Sequence, residues 1–560
     1  MKSIVQPTKK QRRKIVLEIL QQQNRIEDYP YLIESLSPPQ DITTLAPVGS
    51  GKNISIGIIG GGIAGLSAAF ELRKLGFDIT IFEAEKKRIG GRIYTHYFDR
   101  HKKYYGELGA MRIPISHEIV WHYIDLLGLK TTPFIQSTPA DLFYILHRHA
   151  CNDSEGQSVM ENIYPAFDLT LREQKTPWIQ LQNNAINPLL RKLSPKVRKE
   201  IIEIKPQYHP EIIKLDQLSF RNIFEKAGLS LGAISMLGNL SPLIGDFFYT
   251  SSIELYSEIY TLDFFSLYRI QGGSANLPLA FYRSFFDSNV KKYYPNIPPH
   301  LLGTIHWKNG HCVEQIQQKI PCGPVTLSSK NIENHSIHQQ NFDYIICTIP
   351  FSTLRNIQLC PAFSSEKMQA IQELSYENSF KSAQFYKERF WEKEDIICGR
   401  KLGGSSATDY PLTSLWYPSD HYQYLSSPYA PPKEPGVLLS TYNFTLDATR
   451  LGNLPYNQRI FKINRQVEQL HALPKGYIDN ILLDYVDINW NNYPWSLGGF
   501  AYYRPGQKNT FSWIAAQPEY QNKIFFAGEH VSGKHAWIQG ALKTGIQAAN
   551  HIAKDFIVKK

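Results

Sequence analysis

The chain has 560 residues, of which 42% are hydrophobic and 20% are charged, and its net charge is +10 at pH 7. This composition is typical of a globular protein with a sizeable core, and it excludes a largely disordered chain. No run of 18 apolar residues occurs, so the sequence predicts no membrane-spanning helix.

The N-terminal segment 1–52 is set apart by its basic start. The pattern predicts a basic helix over 11–23 and then a connector that contains Pro and Gly. A solvated, partly mobile tail is the simpler interpretation, and contact with nucleic acid or an anionic membrane is the alternative. We do not expect nucleic acid to be a partner. Six positive charges precede the first acidic residue, namely Lys2, Lys9, Lys10, Arg12, Arg13 and Lys14.

The cysteines bear on the cellular compartment. Six are present, at Cys151, Cys312, Cys322, Cys347, Cys360 and Cys398. They form neither a C-x-x-C pair nor a zinc-binding spacing, so we read them as reduced, mostly buried thiols and predict no metal site. No apolar segment of signal-peptide length follows the basic start. We therefore expect a cytoplasmic protein.

A strand–helix–strand unit begins near residue 53. An apolar strand pattern covers 54–59, a helix is predicted over 63–75 with Gly76 at its end, and a second strand covers 79–82 and ends at Glu83. This order is typical of a βαβ unit.

Later segments alternate in character. Ser116 is predicted to cap a helix that runs to Leu127, ahead of Gly128. The stretch 150–270 has helical patterns, such as the one after Ser219.

Strand patterns return in the second half of the chain. They cover 343–348, where the strand is of the buried parallel type, then 437–442 among loops, and finally 524–527, which precedes a helix predicted over 540–553. Because α/β pieces occur at the start, middle and end, we predict one nucleotide-binding domain with a second domain inserted into it.

The turn after the first strand reads Gly60-Gly61-Gly62-Ile63-Ala64-Gly65, which satisfies G-x-G-x-x-G between a strand and a helix. Gly60 permits the tight turn, Gly62 lets a pyrophosphate approach the backbone, and Gly65 lets the helix and strand pack closely. Glu83 is placed to accept hydrogen bonds from ribose hydroxyls, which disfavours NADP. The fingerprint by itself leaves both FAD and NAD open.

Two motifs downstream favour one of these cofactors. They are Arg88-Ile89-Gly90-Gly91-Arg92 and Gly109-Ala110-Met111-Arg112. Together with the fingerprint, they resemble the flavin-containing amine oxidase superfamily, and more closely its L-amino acid oxidase branch. Phe526-Ala527-Gly528-Glu529-His530 resembles the family's C-terminal FAD motif, and the resemblance covers about residues 53–553.

The resemblance implies that FAD is the cofactor and assigns its contacts residue by residue. The implied FAD-binding positions are Gly60, Gly62, Ile63, Ala64, Gly65, Glu83, Ala84, Arg88, Gly91, Arg92, Gly109, Ala110, Met111, Arg112, Val313, Gly528, Glu529, Ala536, Trp537 and Ile538.

The resemblance also implies catalytic and substrate-binding positions. Arg112 and Tyr442 match the residues that bind the α-carboxylate of the substrate, and Lys381 matches a lysine that holds a water near the flavin. Trp490 and Trp537 match tryptophans beside the flavin and in the substrate pocket.

The sequence departs from the family at two positions. Phe500 stands where the monoamine oxidases carry the cysteine that tethers their flavin, so we expect non-covalent FAD. Ala536 stands where the family usually has glycine before the tryptophan, and its methyl group narrows the space for substrate.

The predicted fold class is α/β, with a Rossmann-type FAD-binding domain, an inserted α+β substrate domain and a helical subdomain. The predicted boundaries are 1–52 for the basic extension, 53–115, 266–355 and 506–560 for the FAD domain, 116–150 and 356–505 for the substrate domain, and 151–265 for the helical subdomain.

The implied activity is oxidation of an L-amino acid by O₂ to a 2-oxo acid, ammonia and H₂O₂, by a homodimer. The alternative within the family is an L-amino acid 2-monooxygenase, which forms an amide, CO₂ and water. An amine or polyamine oxidase would leave Arg112 without a carboxylate to bind. The hypothesis from another class is a flavoprotein that binds partners through its basic N-terminus without turnover. Glu254 and Asp263 are acidic candidates for recognition of a basic substrate.

Overall fold

A parallel β-sheet forms the centre of the computed structural model, which describes residues 6–394, 396–425, 427 and 429–559. Three separate stretches of chain contribute to it, as the sequence predicts. In spatial order its strands are Ile305–Asn309, Asp78–Glu83, Ser55–Ile59, Tyr344–Cys347 and Ile524–Phe526. The strands Ser55–Ile59, Tyr344–Cys347 and Ile524–Phe526 are largely apolar and buried, as is typical of the inner strands of a parallel sheet, whereas the edge strand Ile305–Asn309 is largely exposed.

The predicted βαβ unit is confirmed. The helix between its strands is Ile63–Arg73, and it packs against the long C-terminal helix Ile538–Lys559. The two helices approach closely at Gly545, where an added Cβ would lie 2.4 Å from the Ala64 carbonyl oxygen. The C-terminal helix begins before residue 540 and ends after residue 553, so the prediction for it was too short at both ends.

A larger mixed sheet forms the wall opposite the parallel sheet. In spatial order its strands are Leu482–Asn489, Ser379–Tyr386, Gly436–Phe444, Ser414–Trp416, Ser405–Thr408, Leu142–Ile145 and Arg148–Cys151. The antiparallel register pairs Lys381 with Tyr442. Cross-strand partners point to the same face, so these two side chains are neighbours.

Smaller sheets connect the two large ones. Their strands are Thr95–Tyr97 with Tyr105–Glu107; Ile113–Pro114, Leu267–Ile270 and Thr131–Phe134; Ile337–Phe342, Val325–Asn331, His311–Gln317 and Gln358–Cys360; and Tyr376–Glu377 with Phe500–Ala501.

The predicted helical stretch between the sheets is confirmed. Its helices are Gln157–Asn162, Leu171–Gln174, Trp178–Lys192, Pro195–Lys199, Pro210–Asp216, Phe220–Lys226, Leu231–Leu240, Pro242–Gly245 and Ser252–Tyr260. Ser219 caps its helix through a capping box with Asn222, as expected. Ser116, in contrast, does not cap the helix Glu118–Leu126, because its hydroxyl donates to the Thr261 carbonyl instead.

Helices also occur where the sequence predicts only strands and loops. These are Thr445–Gly452, Tyr456–Leu470 and Tyr477–Ile481. The remaining helices are Tyr29–Leu36, Asn276–Phe286, Phe351–Leu354, Ser365–Glu373 and Gln507–Ala516.

The prediction of a solvated N-terminal tail is wrong for the part of it that is described; Lys2 lies outside the described residues. The basic helix is present as Lys9–Gln22, and it packs against the core. Arg12 is 1% exposed. It pairs with Asp125 at 2.8 Å and lies over the Trp121 ring. The helix is therefore part of the fold.

The cysteine prediction is also wrong. Cys151 and Cys398, separated by 247 residues, form a disulfide with a Cα–Cα distance of 5.5 Å. Of the free cysteines, Cys347 is buried, whereas Cys322 and Cys360 are exposed. No helix within the described ranges is both long and apolar enough to cross a membrane.

We expect the disulfide to contribute to stability, because it closes a long loop and thereby restricts the unfolded chain. Cys151→Ser should lower the free energy of unfolding by about 2–4 kcal/mol, measured by denaturant titration, and peptide mapping without reductant should recover the cross-linked peptide. Cys322→Ser, which removes an exposed free thiol, is the control and should change neither result. Recovery of Cys151 and Cys398 as free thiols would contradict the assignment.

Candidate active site

A cavity of about 450 Å³ lies where the parallel and mixed sheets face each other. Apart from the two acidic candidates for a basic substrate, Glu254 and Asp263, it collects every residue that the sequence predicts to bind FAD or substrate or to act in catalysis, except one. The exception is Gly65, where an added Cβ would lie 2.2 Å from the Gly60 carbonyl oxygen, so this glycine serves the packing of helix against strand. The structure thus brings the proposed residues together, while their individual roles stay predictions.

The start of helix Ile63–Arg73 offers free backbone donors to the cavity. Its N-cap, Gly62, provides no side-chain cap. A Cβ added at Gly62 would meet nothing within 4 Å, so the space in front of these N–H groups is open. This arrangement fits a phosphate group.

Glu83 lies beside the same turn. One carboxylate oxygen accepts a hydrogen bond from Gly61 N at 2.9 Å, and the other accepts from Glu85 N at 2.8 Å. Burial raises the pKa of Glu83 to about 7. The carboxylate therefore lies beside the turn that would hold the phosphates of a dinucleotide, a position suited to a ribose, and these residues fit a dinucleotide cofactor.

Glu529 joins three segments of the cavity wall. One carboxylate oxygen accepts from the Arg92 guanidinium at 2.6 Å and from Ala501 N at 3.1 Å, and the other accepts from Ala536 N at 3.0 Å. Burial raises the pKa of Glu529, but the Arg92 guanidinium, the neighbouring histidines and the Ala536 N–H group together outweigh burial, so the pKa is lowered. The carboxylate is thus held ionised.

Arg112 contributes a guanidinium group to the cavity wall. Its guanidinium donates to the neutral Gln136 Oε1 at 2.8 Å, and it lies over the rings of Trp416 at 4.8 Å and Phe264 at 5.5 Å. It forms no ion pair with a carboxylate in the described chain. A charged guanidinium in such an apolar wall is a suitable site for an anion, because it can donate two parallel hydrogen bonds to a carboxylate.

Lys381 and Tyr442 are neighbours on adjacent strands of the mixed sheet, and their side chains lie on the same face. The Lys381 ammonium lies 4.0 Å from the centre of the Tyr442 ring and donates to the Gly109 carbonyl at 2.7 Å. Burial and then the neighbouring Arg112 guanidinium lower the pKa of Lys381 to about 7. Burial raises the pKa of Tyr442 to about 12, which keeps its hydroxyl protonated and able to donate.

The two tryptophans differ in their polar contacts. Trp490 Nε1 donates to the Leu108 carbonyl at 2.9 Å, so its N–H group serves the structure. Trp537 Nε1 instead points to Glu258 Oε1 at 3.4 Å. Ala536, just before Trp537, has φ of 63°, a left-handed conformation that favours glycine. The methyl group is therefore held at a position that glycine would occupy without strain.

Sequence reasoning missed Glu258 and chose its neighbours instead. Glu254 does not line the cavity, and its carboxylate pairs with His535 at 2.8 Å. Asp263 lies outside the lining too, paired with His117 and Lys534. Glu258 follows Glu254 by one helical turn and lies on the same side of the helix, but no pattern in the sequence indicates which turn of that side reaches the cavity.

Comparisons with known proteins agree with this geometry. The family model for flavin containing amine oxidoreductases matches residues 63–553. YobN of Bacillus subtilis (strain 168), whose name assigns it provisionally as an L-amino-acid oxidase, is 30% identical over 512 residues, which cover 88% of this chain and 94% of YobN. The L-amino-acid oxidase of Siganus canaliculatus is 27% identical over 513 residues, which cover 90% of this chain and 86% of that enzyme.

Solved structures share the fold. A putrescine oxidase double mutant superposes with a TM-score of 0.66 at 16% identity, covering 90% of this chain and 100% of the other. The cyclohexylamine oxidase of Brevibacterium oxydans gives a TM-score of 0.64 at 16% identity, covering 90% and 99%. The family match implies a flavin cofactor, and the open helix N-terminus at Gly62 is where its phosphates would lie.

The role of that open space is testable by filling it. Gly62 has φ of −72°, which valine tolerates, so Gly62→Val should fold. Its side chain should occupy the phosphate space and reduce bound flavin per chain by roughly tenfold or more, measured from the absorbance of the purified protein. Circular dichroism should show unchanged secondary structure. A Gly62→Val protein that keeps a full complement of flavin would contradict the assignment.

Proposed function

This chain belongs to the flavin-containing amine oxidase family, and from that premise we propose that it is an FAD-dependent L-amino acid oxidase. The overall reaction converts an L-amino acid, O₂ and water into a 2-oxo acid, ammonia and H₂O₂. In this proposal FAD is bound non-covalently, because residue 500 is phenylalanine. When bound, FAD supplies the redox chemistry between the substrate and O₂.

The observation that carries the proposal is Arg112. The described residues offer its guanidinium no carboxylate partner, and aromatic rings surround it. A simple amine would leave this cation without an anion, whereas the α-carboxylate of an amino acid provides one. The Tyr442 hydroxyl, which stays protonated, would donate a further hydrogen bond to that carboxylate.

The remaining wall residues would orient the substrate. The Trp490 ring is held by its hydrogen bond to the Leu108 carbonyl, and the Trp537 ring packs edge-on against His117 at 5.1 Å. With the carboxylate held at Arg112 and these rings in fixed positions, few orientations of the Cα–H bond are possible. Fixed geometry of this kind lowers the barrier without any strong base.

His530 is not suited to act as a strong base, in agreement with this mechanism. Burial lowers the pKa of its imidazole to about 3, so it stays neutral at physiological pH. His530 does not line the cavity.

The first experiment is anaerobic mixing of the flavin-loaded protein with L-amino acids, D-amino acids and simple amines, followed at the flavin absorbance and then exposed to air. Bleaching by an L-amino acid, with 2-oxo acid and H₂O₂ as products, is the expected result. An amide in place of the 2-oxo acid would assign the chain to the 2-monooxygenases. Bleaching by amines alone would refute the role of Arg112.

Arg112→Lys tests the carboxylate site directly. Lysine keeps the charge but loses the planar pair of donors, so kcat/KM for L-amino acids should fall by about 10²- to 10³-fold. Oxidation of a primary amine without a carboxylate is the internal control, and any slow rate the wild type shows should persist in the variant. An equal loss for both substrate classes would mean that the substitution disturbs the cavity in general.

The lowered pKa of Lys381 predicts that the rate of oxygen consumption depends on pH. With its pKa near 7, Nζ carries a proton below pH 7 and loses it above. A positive charge assists electron transfer to O₂, so the rate of oxygen consumption by the pre-reduced protein should be high below pH 7 and decline above it. Lys381→Met should lower the rate below pH 7 by about 10²-fold and abolish the inflection. A Lys381→Met profile identical to that of the wild type would contradict this role.

A further inference from the structure

Glu258 is an acidic residue of the cavity wall that the proposed chemistry does not use. It lies near the C-terminal end of helix Ser252–Tyr260, and its carboxylate faces the same cavity as Arg112. Its side-chain hydrogen bond comes from Trp537 Nε1 at 3.4 Å, which is long. No described cation lies within ion-pairing distance of it.

This position is unfavourable for an isolated carboxylate. Burial raises the pKa of Glu258 to about 7, and the C-terminal end of a helix carries partial negative charge. Lys534, the cation that most opposes this shift in pKa, is already paired with Asp263 and donates to Ser257 Oγ at 3.1 Å. Asp263 and Glu254 add further negative charge nearby. The cavity therefore presents a carboxylate whose counter-ion is not supplied by the protein.

Aromatic contacts connect Glu258 to the carboxylate site. The Arg112 guanidinium lies 5.5 Å from the centre of the Phe264 ring, and that ring lies 6.0 Å from the Trp537 ring, which reaches Glu258 through its N–H group. Burial lowers the pKa of Arg112, and the negative charge of Glu258 opposes that shift. A positive and a negative group thus share one stretch of wall, with two apolar ring surfaces between them.

We propose that Glu258 binds the distal cation of an L-amino acid with a long basic side chain, while Arg112 binds its α-carboxylate. The inference rests on the proposed function and adds the substrate class: an ε-ammonium or guanidinium group on an apolar stem, as in L-lysine or L-arginine. The stem packs on Phe264 and Trp537, and the distal cation forms the ion pair that Glu258 lacks. The carboxylates that the sequence suggested for this role, Glu254 and Asp263, already form ion pairs within the chain.

The experiment compares substrates of equal shape. L-Lysine and L-2-aminoheptanoic acid differ only in whether the chain ends in an ammonium or a methyl group. Wild-type kcat/KM should favour lysine by about 10- to 100-fold, because a hydrogen bond to a charged group contributes this much. Glu258→Gln keeps a hydrogen-bond acceptor for Trp537 and removes the charge, so it should abolish the preference by lowering the value for lysine alone.

A matched control and a binding measurement complete the design. Glu225→Gln removes a charge from an exposed residue of helix Phe220–Lys226 and should leave the preference unchanged. Anaerobic thermal shift should show stabilisation of the wild type by L-lysine that is lost in Glu258→Gln, a readout independent of turnover.

The outcomes separate two failures. If L-2-aminoheptanoic acid is oxidised as well as L-lysine, or if Glu258→Gln slows both equally, then Glu258 does not bind a distal cation, while the oxidase proposal stands. If no L-amino acid reduces the flavin and amines do, the oxidase proposal fails and this inference fails with it.

Discussion

The carboxylate of Glu529 holds together segments that are far apart in the sequence, and the shape of the cavity depends on it. One oxygen binds Arg92 and the backbone beside Phe500, and the other binds the backbone of Ala536. The segment that follows Gly90-Gly91, the short strand Phe500–Ala501 and the segment that carries Trp537 therefore meet at one ionised group. Because Glu529 is buried, removal of any of these donors would leave a charge poorly satisfied, which is costly.

The other charged side chains of the cavity wall are also buried, and burial affects their pKa values. Arg112, Lys381 and Glu258 all line it, and the protein supplies none of them with a close ion-pair partner among the described residues. Burial shifts the pKa of Lys381 down and that of Glu258 up, in each case toward neutrality near pH 7. Groups held in this state respond strongly to a charged ligand, which is the usual physical property of a functional site.

The errors of the sequence analysis concern contacts between distant residues. Cys151 and Cys398 carry no local signal of their pairing, and the expectation of a cytoplasmic location rested in part on reduced thiols. The basic helix at the N-terminus was read as solvated because its positive charges are visible, whereas the surfaces that bury Arg12 come from the segment around Trp121 and Asp125. The helices between 445 and 481 lie among loop-like residues, and their stability comes from packing.

The sequence by itself determined the parts that depend on neighbouring residues. The glycine turn, the strand that ends at Glu83 and the motif around Arg112 are local patterns, because backbone conformation and phosphate recognition are decided within a few residues. Only the tertiary structure decided which side chains share the cavity. It excluded Glu254 and Asp263 and admitted Glu258, because which turn of a helix reaches a cavity depends on every element that packs around that helix.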